Sequence, residues 1–256
     1  MKRKKIILIP SRLNSKRLPG KALFRIENIP IIGHTFYRSN LTANIDDIYV
    51  CSDSSKILSW CKKNQIPSIK TKSNHINGTE RIAEAVMKLN LSMDDIIVDV
   101  QGDEPLINPK NITKAISFFE KNNFDIVVPH LKFRKEEDSA NIIKLAISNQ
   151  KQILWMSRSS IPFSFFNENL FLNKHLSTII FTKKSLLKYS NLKPSFNEKI
   201  ESIELLRALE NNMKLGSINL KGDSFSVDIL EDYLNAIQYL KRDRIKLKYN
   251  NTKISP

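Results

Sequence analysis

The chain has 256 residues, 41% of them hydrophobic and 26% charged, with a formal net charge of +15. That length suits one large α/β domain with its own core, and no apolar stretch approaches the roughly 20 residues that span a bilayer. The basic excess fits either a nucleic-acid binder or an enzyme of acidic small molecules. No nucleic-acid motif and no basic stripe interleaved with aromatics is present, which sets nucleic acid aside as the partner. No signal-peptide pattern opens the chain. Two cysteines, Cys51 and Cys61, show no metal-ligand spacing, and free thiols fit a cytoplasmic location.

In chain order, Lys5 to Pro10 (KIILIP) reads as a buried strand and Ile31 to Leu41 as a helix after Pro30. Asp47 to Cys51 reads as a strand, and Ser54 to Lys63 as a helix that Asp53 or Ser54 could cap. Ile66 to Ile69 is a short strand. Thr79 to Leu89 carries apolar residues at helical spacing, and Asp95 to Val100 (DIIVDV) is a strand running into a polar turn. Strands alternating with helices predict βαβ units and a doubly wound, mostly parallel sheet.

After residue 125 the pattern loosens. Strands are expected at Ile126 to Val128, Ile142 to Ile147, Ile153 to Met156, His175 to Phe181 and Ser217 to Leu220. A Phe-rich and Asn-rich loop fills Pro162 to Lys174, a helix is expected over Glu198 to Asn211, and a long basic helix over Ile229 to about Lys248. No repeat or linker divides the chain, so residues 1–256 read as one domain with an elaborated middle.

Ligands of such sheets bind beyond the carboxyl ends of the strands, which directs attention to three loops. The first, PSRLNSKRLPGK, holds Arg12, Lys16, Arg17 and Lys21 around a Pro19-Gly20 turn. Such a set can grip a triphosphate whose leaving pyrophosphate gains charge; it is equally what a solvated basic loop looks like. The second is DVQGDEP, where Asp103 and Glu104 offer hard oxygen ligands suited to Mg²⁺ and Gly102 permits close backbone approach. An ordinary acidic turn reads the same way. Asp228 in SVDILED offers another carboxylate, or else an N-cap for the last helix with Glu231 three residues on. The third loop, Asn74 to Arg81, opens a helix.

Taken in order, these segments resemble the 3-deoxy-manno-octulosonate (Kdo) cytidylyltransferases. IPSRLNSKRLPGKAL matches the family's IPAR-x-x-S-x-RLPGK-x-L, HINGTERIAE its H-x-x-GTER-x-AE, and VDVQGDEPLI its V-x-VQGDEP-x-I. SRSSIPF and SVDILED resemble SR-x-x-IP-[WYF] and GVDTPED. The resemblance implies the nucleotide-sugar transferase fold, with a smaller insertion at roughly 130–200 for sugar binding and dimerisation. It implies attack of an acidic sugar's anomeric hydroxyl on the α-phosphorus of CTP. By motif, Lys21, Arg17 and Asp103 are catalytic, and Arg12, Lys21, Gly78, Thr79, Arg81 and Gln101 bind the nucleotide. Arg158, His175 and Glu204 face the sugar, Asp103 and Asp228 hold Mg²⁺, and the enzyme is a homodimer.

The departures gather on the sugar side. HLGIYGYR becomes HLSTIIFT, bringing in Ser177, Thr178, Ile179 and Thr182, and E-x-LEQLR becomes ESIELLR, with Leu205 in place of Gln. CTP is therefore expected more firmly than Kdo, and the acceptor is expected to be Kdo or a modified Kdo marked by Leu205. Rival readings are a sugar-1-phosphate nucleotidyltransferase, a CMP-sialate-type synthetase and a non-catalytic CTP-binding homologue.

Overall fold

A computed structural model describes residues 2–15, 17–166, 171–222 and 225–249. The expected Lys16 cation and part of the Phe-rich loop lie outside the described residues. The main sheet comprises β1 (Lys5–Ser11), β4 (Asp47–Ser52), β5 (Ser68–Lys70), β6 (Ile96–Val100), β7 (Ile126–Val127), β12 (Thr178–Thr182) and β13 (Leu215–Gly216), in the order β13-β7-β12-β6-β1-β4-β5. A hairpin of β2 (Arg25–Ile26) and β3 (Ile29–Pro30) follows the first loop. A separate antiparallel sheet of β8 (His130–Arg134), β9 (Lys144–Ile147), β10 (Ile153–Ser157) and β11 (Phe171–His175) runs in the order β10-β9-β11-β8.

The Ile-rich strands are buried on both faces because helices cover both faces. Ile7 and Ile9 of β1 pack on one side, with α1 (Ile31–Ser39), α2 (Ser55–Lys63) and α4 (Pro109–Lys121). Ile6 and Leu8 pack on the other, with α3 (Gly78–Met87), α5 (Lys183–Ser190) and α7 (Leu206–Glu210). The adjacent pairs β1·β4, β1·β6, β4·β5 and β13·β7 are parallel, and β12 alone of the seven runs against its neighbours β6 and β7. The doubly wound, mostly parallel sheet read from the sequence is therefore the one found.

Several expected elements differ. The strand expected over His175 to Phe181 is two strands in two sheets, β11 and β12, because the chain crosses from one sheet to the other between His175 and Thr178. The helix expected over Glu198 to Asn211 is broken into α6 (Phe196–Glu201) and α7, with Ser202 in a left-handed conformation at φ 52° that ends the first. The long terminal helix is α8 (Leu230–Lys241), ended at Arg242 and followed by a 3₁₀ turn at Lys246–Lys248. There Asp243 turns its side chain back onto the amides of Ile245 and Lys246 and pairs with Arg38.

Candidate active site

A cavity of about 540 Å³ opens where β1 and β6 end and α3 begins. Its floor is backbone. Gly102 donates to the Pro10 carbonyl at 3.2 Å, and a Cβ at Gly102 would sit 2.7 Å from that same oxygen. The DVQGDEP turn thus needs a glycine because two strand ends touch there. Opposite, the Asn77 side chain accepts from the Glu80 amide at 2.9 Å while the Glu80 carboxylate accepts from the Ile76 amide at 3.1 Å. This reciprocal cap starts α3 at the cavity wall, with the positive end of the helix and the Gly78 backbone facing where an anion would lie.

The first loop folds back over this floor. Gly20 takes φ 77°, and the amides of Gly20 and Lys21 bond to the carbonyls of Leu13 and Leu18. That turn delivers Lys21 into a nest of oxygens: its ammonium lies 2.6 Å from Asp103 Oδ2, 2.9 Å from Asp228 Oδ1 and 2.7 Å from the Val227 carbonyl. Arg17 adds a 2.9 Å ion pair to Asp228 Oδ1. Burial disfavours the charge on Lys21, but Asp103 and Asp228 outweigh it and raise its pKa. Of the two alternatives at Asp228, the structure does not bear out the N-cap. Ile229 occupies the N-cap position of α8, Asp232 accepts from the Asp228 and Ile229 amides at 2.9 and 3.0 Å, and the Asp228 carboxylate is free to face Lys21.

Of the residues singled out in the sequence, Arg12, Arg17, Lys21, Gly78, Arg81, Gln101, Asp103 and Asp228 line this cavity. Arg81 is held from behind by Asp53 at 3.0 Å, Thr71 at 2.6 Å and the Lys72 carbonyl at 3.1 Å. Thr79 is fully buried beneath the wall, with its hydroxyl 2.9 Å from Glu204 Oε1 and 3.5 Å from Asp99 Oδ2. Arg158 spends its guanidinium on the carbonyls of Glu201, Ala140 and Ser202, at 2.6, 2.8 and 3.2 Å; of these residues Ser202 reaches the cavity. His175 stands on β11 opposite His130 and is not part of the cavity lining, and burial lowers its pKa to about 4.

Sequence reasoning passed over other members of the lining: His75, Asn77, Ser11, Ser15 and Ser202, all within quoted motifs, the last as the variable position of ESIELLR. Glu104, offered as a second oxygen ligand beside Asp103, is buried and does not line the cavity. Leu205 and Ile179, departures that replace family residues on the expected sugar side, are 1% and 3% exposed and belong to the hydrophobic core.

Clustered cations and two converging carboxylates at the carboxyl ends of parallel strands define a nucleotide-dependent transferase. Within that class, the chain belongs to the cytidylyltransferase family, whose model matches residues 6–215. It is 38% identical over 240 residues to a 3-deoxy-manno-octulosonate cytidylyltransferase of Thermodesulfovibrio yellowstonii, spanning 89% of this chain and 94% of the relative. It is 35% identical over 230 residues to an 8-amino-3,8-dideoxy-manno-octulosonate cytidylyltransferase of Shewanella piezotolerans, spanning 88% and 94%. Among solved structures, a CMP:2-keto-3-deoxy-manno-octonic acid synthetase complexed with CTP superposes with a TM-score of 0.89 at 25% identity, covering 93% of this chain and 99% of that one.

Proposed function

We propose that this enzyme joins CMP from CTP to a 3-deoxy-2-ketoaldonic acid, either Kdo or its 8-amino-3,8-dideoxy analogue, and releases pyrophosphate. The observation that carries this reading is the convergence of Asp103 and Asp228 on one cation, the Lys21 ammonium, at the end of a basic loop. The relatives that span nearly the whole chain support the acceptor class.

Phosphoryl-type transfer asks the protein for position and charge more than for covalent chemistry. Arg12, Arg17 and Lys21 hold the triphosphate and stabilise the charge that grows on the departing pyrophosphate. The α3 N-terminus at Gly78, with Gln101 beside it, orients the nucleoside. The acceptor's anomeric hydroxyl approaches from the side of Ser202, and Arg158 and Glu204 lie behind that residue. Asp103 and Asp228 fit a magnesium ion, because two hard oxygen donors are already gathered about one positive charge. No group of three or more His, Cys, Asp or Glu side chains suited to a metal occurs among the described residues, so these carboxylates would share the ion with CTP phosphates, as Mg²⁺ sites commonly do. An ion held by Asp103 and Asp228 would supply positive charge to neutralise the phosphates.

A second copy of the chain is the proposed partner. Phe163, Phe165 and Phe166 are 78%, 79% and 95% exposed, an aromatic patch that a monomer would leave in water. The buried free thiols of Cys51 and Cys61 support a reducing, cytoplasmic setting. Pyrophosphate release from each of the four NTPs with Mg²⁺, with and without Kdo or 8-amino-Kdo, tests the function. Release is expected only with CTP plus acceptor; failure to bind CTP overturns the reading.

A further inference from the structure

Arg207 closes the ESIELLR motif, is 1% exposed and does not line the cavity. It nevertheless joins the two walls of that cavity from beneath. Its Nε and Nη2 donate to the Glu198 carboxylate at 2.8 and 2.5 Å, and its Nη1 lies 3.5 Å from Glu80 Oε1. Tyr189 covers the guanidinium, with its ring centroid 5.1 Å from Cζ. One cation is thus shared by carboxylates from two helices, gripped by a pair of hydrogen bonds on one side and loosely paired on the other.

Each carboxylate also shapes a wall. Glu80 accepts from the Ile76 amide at 3.1 Å and so helps to begin α3, beside His75, Asn77 and Gly78 of the lining. Glu198 accepts from the Ser195 amide at 3.1 Å and so helps to begin α6, and its carbonyl receives the amides of Ser202 and Ile203 that end that helix. Ser202 on the opposite wall is thereby placed by the residue that Arg207 holds. Arg158 grips the carbonyls of Glu201 and Ser202 from the other side, at 2.6 and 3.2 Å. The 2.9 Å hydrogen bond from Thr79 to Glu204 joins the same walls through a neutral hydroxyl, so Arg207 supplies the link that responds to charge.

We infer that Arg207 is a positioning residue that couples the nucleotide wall to the acceptor lip, so that CTP and acceptor bind with positive cooperativity. The inference rests on the cytidylyltransferase reading above and adds the means by which one substrate prepares the site for the other. A triphosphate at the α3 N-terminus brings negative charge toward Glu80, which caps the same turn, and like charges repel. The cation paired with Glu80 is Arg207, and at 3.5 Å that contact has room to shorten into a charge-assisted hydrogen bond. Tightening it draws Arg207, Glu198 and the end of α6 toward α3 and seats Ser202 against the acceptor. A contact that differs between the free and bound states is what lets a ligand shift the balance between them.

The test is calorimetric binding of Kdo and of 8-amino-Kdo to the full-length enzyme with Mg²⁺, with and without a CTP analogue whose α,β-methylene bridge prevents pyrophosphate release. Saturating analogue is expected to tighten acceptor binding roughly tenfold, a common scale for coupled sites, and acceptor must tighten the analogue by the same factor. Glu80→Gln keeps an oxygen to cap α3 and removes the charge that Arg207 attracts, while Arg207→Lys keeps the charge and loses the two-pronged grip. Each is expected to abolish most of the factor, and the double variant to lose no more than either single change, because one contact carries both. A merely structural role would lower the unfolding midpoint and leave the factor where it was, since both titrations use the same folded protein. Should Arg207→Lys fail to fold, Glu80→Gln decides alone. No coupling in the parent, or a factor unmoved by Glu80→Gln, overturns the link while leaving cytidylyl transfer intact. Binding of the analogue with binding of neither acceptor overturns the acceptor class and the coupling together.

Discussion

Glu84 shows how a motif letter can serve the site without touching substrate. It belongs to HINGTERIAE and accepts from His75 Nε2 at 2.6 Å and from the Lys72 amide at 2.9 Å, with the Lys88 ammonium 2.6 Å from its other oxygen. Burial opposes the charge, but the Lys72 amide, Lys88 and His75 prevail and lower its pKa to about 2. A carboxyl depressed in the folded state contributes stability above its unfolded value, here 4.5, and loses that contribution as pH falls toward about 2. Glu84→Gln is therefore expected to cost on the order of 1–3 kcal/mol at pH 7 and much less at pH 2. Denaturant melts of parent and variant across pH 2–7 check this; a pH-independent difference would assign the loss to packing. The same residue explains why His75, quoted in the motif and given no role there, lines the cavity: Glu84 anchors its ring.

At the scale of elements, the first half of the fold was legible because its strands are short apolar runs and its helices have caps. Lys5–Ser11, Asp47–Ser52 and Gly78–Met87 fall within two residues of their expected bounds. The second half was harder for a physical reason. Its apolar residues serve two sheets, and nothing in KHLSTIIFT marks where the chain leaves one for the other. The helix Glu198 to Asn211 was misread because apolar spacing runs through Ser202, whose left-handed backbone is a tertiary outcome with no local signal. The site divides in the same way. Residues on the first loop, the α3 N-terminus and the β6 turn come together as their motifs implied, while the position of Ser202 depended on that unforeseen break. Leu205, at the start of α7, illustrates the consequence: read as marking a changed acceptor, it is 1% exposed in the core. Leu205→Gln is expected to bury an amide and destabilise the protein by about 1–3 kcal/mol, measured by urea unfolding. An unchanged midpoint would mean that position 205 reaches solvent or ligand.

For the whole molecule, charge and apolar exposure make opposite demands. A net charge of +15 draws nucleotide and acidic sugar toward the cleft, yet it also sets one copy against another. The proposed dimer therefore needs a contact strong enough to overcome repulsion, and the exposed aromatics are the candidates. Phe165 and Phe166 meet edge to face with ring centroids 4.8 Å apart, on the segment that follows β10. Burying one such ring is worth about 1.5–3 kcal/mol, and a two-fold contact would bury the rings of both copies. That total is comparable with the association cost of about 4–15 kcal/mol, so losing two rings per copy should tip the balance. Phe165→Glu combined with Phe166→Glu is expected to convert a dimer into a monomer in sedimentation equilibrium without changing the unfolding midpoint of the isolated chain. Because added salt screens the like charges, the parent dimer should tighten between low and physiological ionic strength. A parent chain that sediments as a monomer at every salt concentration removes the second copy as partner, and a double variant that stays dimeric moves the contact away from this patch.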